Sequence, residues 1–214
     1  PRSPDEMVAV DVLLGRRDDV AAPDAVICIV DASNLERNLY LVRQVFELGL
    51  PTVLAVNMID VARQRGLETD LEALETRLGV PVVAMQANRR QGIKQLGEAL
   101  TRAVGAPPRS AESPLPEAFC NEVKQLETSL ASGQNNGAPV PRYLVERLLV
   151  DSGGYIETAL LRKMPDAKSR ESLLRDVESA RDRLREAGHP VPAVEPISRY
   201  RWIAGVLDGV VRRP

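Results

Sequence analysis

The 214-residue sequence predicts an α/β protein in which a parallel sheet with flanking helices is followed by an all-helical subdomain. Two observations predict it. Strand-like and helix-like patterns alternate three times up to roughly Val104, and beyond a Pro- and Ser-rich stretch only helical periodicities remain. Ala25 to Val30 form a near-continuous, partly β-branched apolar run ended by Asp31, as expected of a strand buried on both faces. Ser33 and Glu36 have the spacing of a capping box. Leu35, Leu39, Val42 and Phe46 then recur at i, i+4, i+7 and i+11 before Gly49, which predicts an amphipathic helix. Pro51 to Val56 read as the next strand and deliver Asn57 to its carboxyl end. A second box at Thr69 and Glu72 opens a helix carrying Leu71, Leu74 and Leu78, closed by Gly79. Pro81 to Met85 form a third short strand, and the polar loop Gln86 to Gln91 leads through Gly92 into a helix ending near Val104. Ligands of such sheets sit beyond the carboxyl ends of the strands, where Asp31, Asn57, Asp60 and the Gln86 loop all fall.

The most informative stretch is Val53 to Asp60, VLAVNMID. A carboxylate at the mouth of a buried strand accepts two hydrogen bonds from the ring N–H and exocyclic amine of guanine, a pair that adenine lacks in that arrangement. ATP would leave the acceptor buried and unpaired, and a site built around a polar group discriminates strongly on that basis. Asp60 is the candidate carboxylate, with Asn57 bracing the loop and touching the other edge of the base. A second reading of the same residues is open: Asn and Asp commonly do no more than end a strand and start a turn or helix.

VDASNLERNLYL followed by ELGLPTVLAVNMID resembles the GTP-binding domain of the FeoB family of bacterial ferrous iron transporters, and the resemblance extends over essentially the whole chain. Most regulatory GTPases carry Asn-Lys-x-Asp at the guanine motif, whereas Met58 stands at the second place here, as it typically does in FeoB proteins. A Met stem covers the face of a base much as a Lys stem does, without the ammonium; core filling is the other reading of Met58. Where such GTPases place a Ser-Ala pair, this chain has Gln86-Ala87 followed by Asn88, so the Ala87 amide is the candidate donor to the guanine carbonyl oxygen. The resemblance implies a partial P-loop GTPase-like sheet, with GTP or GDP bound through Asn57, Met58, Asp60, Gln86, Ala87 and Asn88, and Mg²⁺ in the intact protein only. Arg89 and Arg90 read as solvated loop surface.

A phosphate loop needs Gly-x-x-x-x-Gly-Lys-Ser/Thr between a strand and a helix, and the sequence contains no such run. PRSPDEMVAVDVLLG resembles the stretch that follows the second switch of the family, which implies an amino-terminally truncated GTPase domain. Alone, this chain is expected to hydrolyse GTP negligibly, because phosphoryl transfer rests on positioning and electrostatics supplied by the phosphate loop and switches.

Composition excludes other classes. The formal net charge of −2, from 28 basic and 30 acidic residues, sets up no field for nucleic acid. Cys28 and Cys120 lack Cys-x-x-Cys spacing and read as small buried hydrophobes in a reducing compartment. His189 is the only histidine and has no partner for a metal site, so any iron ligands of a parent transporter are expected elsewhere.

The expected organisation is residues 1–105 as the carboxyl-terminal part of a GTP-binding domain, 106–116 as linker, and 117–214 as a helical coupling domain leading to the membrane part of the parent. Phe119, Val123, Leu126 and Leu130 mark one helix, interrupted at Gly133 to Gly137; Pro141 opens another through Val150, and Tyr155 to Met164 a further short one. Leu173, Val177, Ala180 and Leu184 repeat the spacing inside a run dense with Arg, Asp and Glu. These charges read as a solvated face; a coiled coil is the sharper alternative. In the last segment Ile203, Val206, Leu207 and Val210 line one face, with Arg199, Arg201, Arg212 and Arg213 around it and Tyr200 and Trp202 candidates for a membrane interface. Docking of that helix on its own domain is the alternative. The implied setting is the cytoplasmic face of a bacterial inner membrane, with the membrane domain of the parent and guanine nucleotide as partners, self-association open and nucleic acid excluded. Two other classes stay open, a non-catalytic interaction module and a soluble ribosome- or tRNA-associated GTPase.

Overall fold

The computed structural model describes residues 4–106, 113–133, 140, 142–151, 157, 158, 161, 162, 164 and 166–212. Contacts divide the chain into two units, residues 1–112 with 200–214, and residues 113–199. The division differs from the expected boundary, since residues 200–214 group with the sheet and not with the helices. The expected break at Gly133 to Gly137 and Pro141 fall mostly outside the described residues, as does half of the Tyr155 to Met164 helix.

The first unit begins with α1 (Pro4–Leu13), and its core is a three-stranded sheet of β1 (Val26–Asp31), β2 (Thr52–Asn57) and β4 (Val82–Ala84) in the order β1-β2-β4. Both pairings are parallel, with Asp31 opposite Asn57 and Val56 opposite Ala84. The alternating patterns predicted this arrangement. Between the strands run α2 (Leu35–Phe46), α3 (Ile59–Gln64), the two-residue β3 (Glu68–Thr69) and α4 (Leu71–Leu78), with α5 (Ile93–Gly105) following β4.

Side chains alternate across the sheet, so each face has its own core. Val30, Leu54 and Val56 pack with Leu39, Val42 and Phe46 of α2 and Leu74 and Leu78 of α4. Val53, Ala55, Val83 and Met85 pack on the other face against Ala99 and Ala103 of α5. Only the middle strand β2 is buried on both faces. The two-sided burial expected for β1 is corrected: Ile27 is 39% and Ile29 70% exposed, because α5 covers β2 and β4 and no described element covers β1 on that side. Cys28, on the covered face, is half-buried, and burial pushes its thiol up to about 11.

Two capping expectations are also corrected. Asp70 and not Thr69 caps α4, its Oδ1 accepting from the Ala73 amide at 3.0 Å. Before α2, Asp31 caps a short 3₁₀ turn (Ala32–Asn34), accepting from the Ser33 amide and hydroxyl at 2.8 Å each, while the Asn34 side chain makes no capping bond. At α4 the carboxylate outcompetes the hydroxyl for an orphan amide, and before α2 the Ser33 hydroxyl is drawn away as a donor to Asp31.

The last helix, Val194–Leu207, ends before the expected apolar face does; Gly209 turns the chain at φ +68° and β5 (Val211–Arg212) pairs antiparallel with β3. Ile203, Val206 and Val210 are buried in the core of the first unit. Trp202 meets the edge of Phe46 at 6.4 Å with Arg43 stacked 5.2 Å from its ring, and Tyr200 lies 5.3 Å from Tyr40. Trp202 is thus committed to its own domain and not to a membrane interface.

In the second unit α6 (Glu117–Gly133), α7 (Arg142–Val150) and the helix Ala167–Glu186 share a core that includes Phe119, Val123, Leu148, Leu149, Val177 and Leu184. Most charges of the long helix face solvent as expected, with Arg181 the exception. Its guanidinium donates to the carbonyls of Leu148, Leu149 and Asp151 at 2.8 to 3.3 Å, closing the carboxyl end of α7. Arg199, expected among the membrane-flanking arginines, is buried and paired with Glu195 at 2.9 Å. Replacing Arg181 by alanine is expected to destabilise the helical unit by about 3 kcal/mol, since several buried carbonyls lose a charged donor and Glu157 loses one ion pair. A denaturant melt followed by helical circular dichroism checks it; a change under roughly 0.5 kcal/mol would contradict it.

Candidate nucleotide site

The parallel order puts Asp31, Asn57 and Gln86 at the carboxyl ends of three neighbouring strands, where the alternation predicted a site. The tips of β2 and β4 are joined twice. The Met85 amide donates to the Val56 carbonyl at 2.8 Å, and beyond the ladder the Ala87 amide donates to Asn57 Oδ1 at 3.1 Å. Asn57 therefore ties the opposite loop to its own strand tip, through the amide expected to meet the base.

Met58 follows in the left-handed region at φ +60°, ψ +32°, and is 41% exposed. A non-glycine residue there carries strain of order 1–3 kcal/mol, and such strain concentrates at functional sites. The exposure removes the core-filling reading of Met58. The turn it makes starts α3 at once and sets Asp60, half-buried, in the first helical turn. Asp60 thus lies three residues past Asn57, at the start of the helix that leaves the strand tip.

The second half of the site is a closed loop. Gln86 and Gln91 exchange backbone hydrogen bonds at 3.2 Å in both directions, with the 3₁₀ turn Ala87–Arg89 between them and Arg90 left-handed at φ +54°. Ala87, Asn88, Arg89 and Arg90 are exposed, while the Gln86 side-chain oxygen is buried without a hydrogen-bond partner. Gly92 does more than mark the boundary of α5. At φ +90° it lets α5 start directly beneath this loop, where a Cβ would lie 2.3 Å from the Ala84 carbonyl oxygen.

Supporting contacts that sequence reasoning missed tie the neighbouring tip. Arg65, just after α3, donates to Ser33 Oγ at 3.1 Å, and Ser33 in turn donates to Asp31. The Asp31 amide donates to Asn38 at 3.4 Å. A link across 32 residues leaves no periodic trace in a sequence.

Residues 1–100 match the family described as ferrous iron transport protein B. Over these residues the chain is similar to the FeoB family. The Fe(2+) transporter FeoB of Salmonella typhimurium is 45% identical over 98 residues, which are 46% of this chain and 12% of that protein. The Escherichia coli K12 transporter is 42% identical over the same length and share. The chain thus spans about an eighth of the curated FeoB relatives it matches. Among solved structures, a GDP-bound S. thermophilus NFeoB mutant is 26% identical with a TM-score of 0.73, covering 99% of this chain and 76% of that one. The cytosolic domain of L. pneumophila FeoB is 29% identical with a TM-score of 0.67, covering 97% and 73%. Another S. thermophilus NFeoB structure, 27% identical with a TM-score of 0.74, is bound to GDP·AlF₄⁻ and K⁺. The FeoB match thus covers the sheet and its strand tips, while the likeness to FeoB cytosolic domains runs through the helical unit as well.

Proposed function

We propose that this chain is the guanine-reading part, with its helical coupling domain, of a FeoB-type ferrous iron transporter in which GTP binding and hydrolysis regulate or drive Fe²⁺ uptake. The observation that carries the reading is the Asn57–Ala87 hydrogen bond, which clamps the two strand tips bearing every candidate base contact. Asp60 accepts the ring N–H and the exocyclic amine of guanine, and the Met58 stem lies over the base. Ala87 turns its amide from Asn57 towards the guanine carbonyl oxygen, or shares it between them, with Gln86 and Asn88 shaping the loop on either side. Neighbouring FeoB structures bound to GDP and to a GMPPNP analogue support nucleotide as the ligand.

The residues present fit the base and not the phosphates. The sequence contains no phosphate loop, so phosphate and Mg²⁺ binding and hydrolysis belong to other parts of the intact protein. The membrane domain of the same parent, at the cytoplasmic face, is the natural partner of the helical part. Among the described residues no helix is long and apolar enough to cross a membrane.

Competition of GDP and ADP for a fluorescent GDP analogue on the intact transporter tests the reading. Guanine is expected to win by at least about a hundredfold, from two hydrogen bonds to a charged acceptor at roughly 1.5–3 kcal/mol each. Equal displacement by the two diphosphates would remove the assignment.

A further inference from the structure

The carboxyl-terminal residues 203–212 bind the chain segment that separates the two halves of the candidate site. That segment, α3–β3–α4, runs from Asp60 to the start of β4. Among the described residues its β3 has no partner in the main sheet and pairs with β5 alone, Glu68 opposite Arg212 and Thr69 opposite Val211. The Asp70 amide extends the ladder by donating to the Val210 carbonyl at 2.9 Å, and Asp70 is the residue that caps α4. At the other end of α4, Arg77 Nη1 donates to the carbonyls of Gly205 at 2.9 Å, Val206 at 3.1 Å and Asp208. These are orphan carbonyls of the last helix, and a charged donor suits them. Both ends of α4 are thus held by one ten-residue stretch.

On its other side β3 adjoins a cavity of about 450 Å³, which also touches Ile59 and Ala62 of α3 and Met85 and Gln86 of the loop. Thr69 and Gln86 both line it, and their Oγ1 and Oε1 are buried without hydrogen-bond partners. A gap beside unpaired polar groups is a weak joint, because Thr69 and Gln86 forgo hydrogen bonds that would fix β3 against the loop.

We propose that residues 203–212 act as a strap that holds α3–β3–α4 in register, so that displacement of the strap loosens the hold of Asp60 on a bound guanine. The last clause rests on the guanine reading above; the mechanical part does not. Strain on the strap travels through β5 to β3 and from there to α3, with the cavity as the space into which they yield.

Backbone hydrogen exchange on the intact transporter tests the strap, with and without GDP. Arg77→Ala is expected to raise exchange about tenfold across residues 203–212 and also across 59–70, leaving α5 unchanged, and to speed GDP release. Glu68→Cys with Arg212→Cys, oxidised in a chain that keeps Arg77, is expected to slow exchange across 59–70. Faster exchange confined to 203–212, or no slowing by the crosslink, would overturn the strap. A general rise that includes α5 reports unfolding, and the crosslinked chain then decides alone. Failure of the unaltered intact transporter to bind GDP strikes the guanine reading, while the exchange pattern still judges the strap.

Discussion

Asp60→Ala is expected to weaken GDP binding by the intact transporter at least a hundredfold while its melting temperature moves little. The size follows from two charge-assisted hydrogen bonds lost in a partly desolvated site, at roughly 1.5–3 kcal/mol each. The small effect on stability follows from position. Asp60 is half-buried in the first turn of a six-residue helix and makes no described hydrogen bond that holds the fold together. Some helix-terminus stabilisation is lost with the charge, about 0.3–1 kcal/mol. Inosine diphosphate sharpens the test, because it lacks the exocyclic amine. The unaltered protein should bind it about tenfold or more weakly than GDP, and the Asp60→Ala protein should barely tell the two apart, since the group that reads the amine is gone. Retained discrimination in the alanine variant would assign the amine to another acceptor.

What the sequence revealed of this molecule was whatever is local and periodic. The strand and helix order, the amphipathic faces of α2 and α6, and the gathering of Asn57, Asp60 and Gln86 at strand ends all come from patterns of 2 or 3.6 residues. Contacts between distant residues left no such pattern. Ile27 and Ile29 read as buried because β-branched residues favour strands wherever they sit, and only the reach of α5 decides which strand it covers. The last segment read as one continuous apolar helix face because Val210 keeps the spacing; Gly209 and the pairing with β3 end the helix at Leu207. Arg77, Arg181 and Arg199 look like surface charges in a run of charges, yet each satisfies backbone carbonyls or a buried carboxylate. Within the site, the residue types were legible and the backbone was not. The left-handed turn at Met58 and the loop closed by Gln86 and Gln91 are properties of φ and ψ that side-chain chemistry does not announce.

The same loop yields the largest expected change from a single methyl group, Gly92→Ala. At φ +90° an alanine is strained by about 1–2 kcal/mol wherever it sits. Here its Cβ would also lie 2.3 Å from the Ala84 carbonyl oxygen and 2.6 Å from Met85 Sδ. The sulfur has little room to give, because Met85 is buried against α5. The carbonyl belongs to β4 itself, so relief requires β4 or the start of α5 to move. Together these cost about 3–4 kcal/mol, near the upper end for one substitution, and predict a fall of roughly 10 °C in the unfolding of the sheet unit. The displacement also carries Gln86 and Ala87 away from Asn57, so nucleotide affinity should fall with stability, unlike the Asp60 variant, where the two separate. Gly97→Ala is the matched control. Gly97 lies inside α5 at negative φ with open space around the added methyl, so alanine there should stabilise by about 0.4–1 kcal/mol. Calorimetry of both variants decides the matter: equal melting temperatures would mean that the loop does not need the conformation only Gly92 supplies.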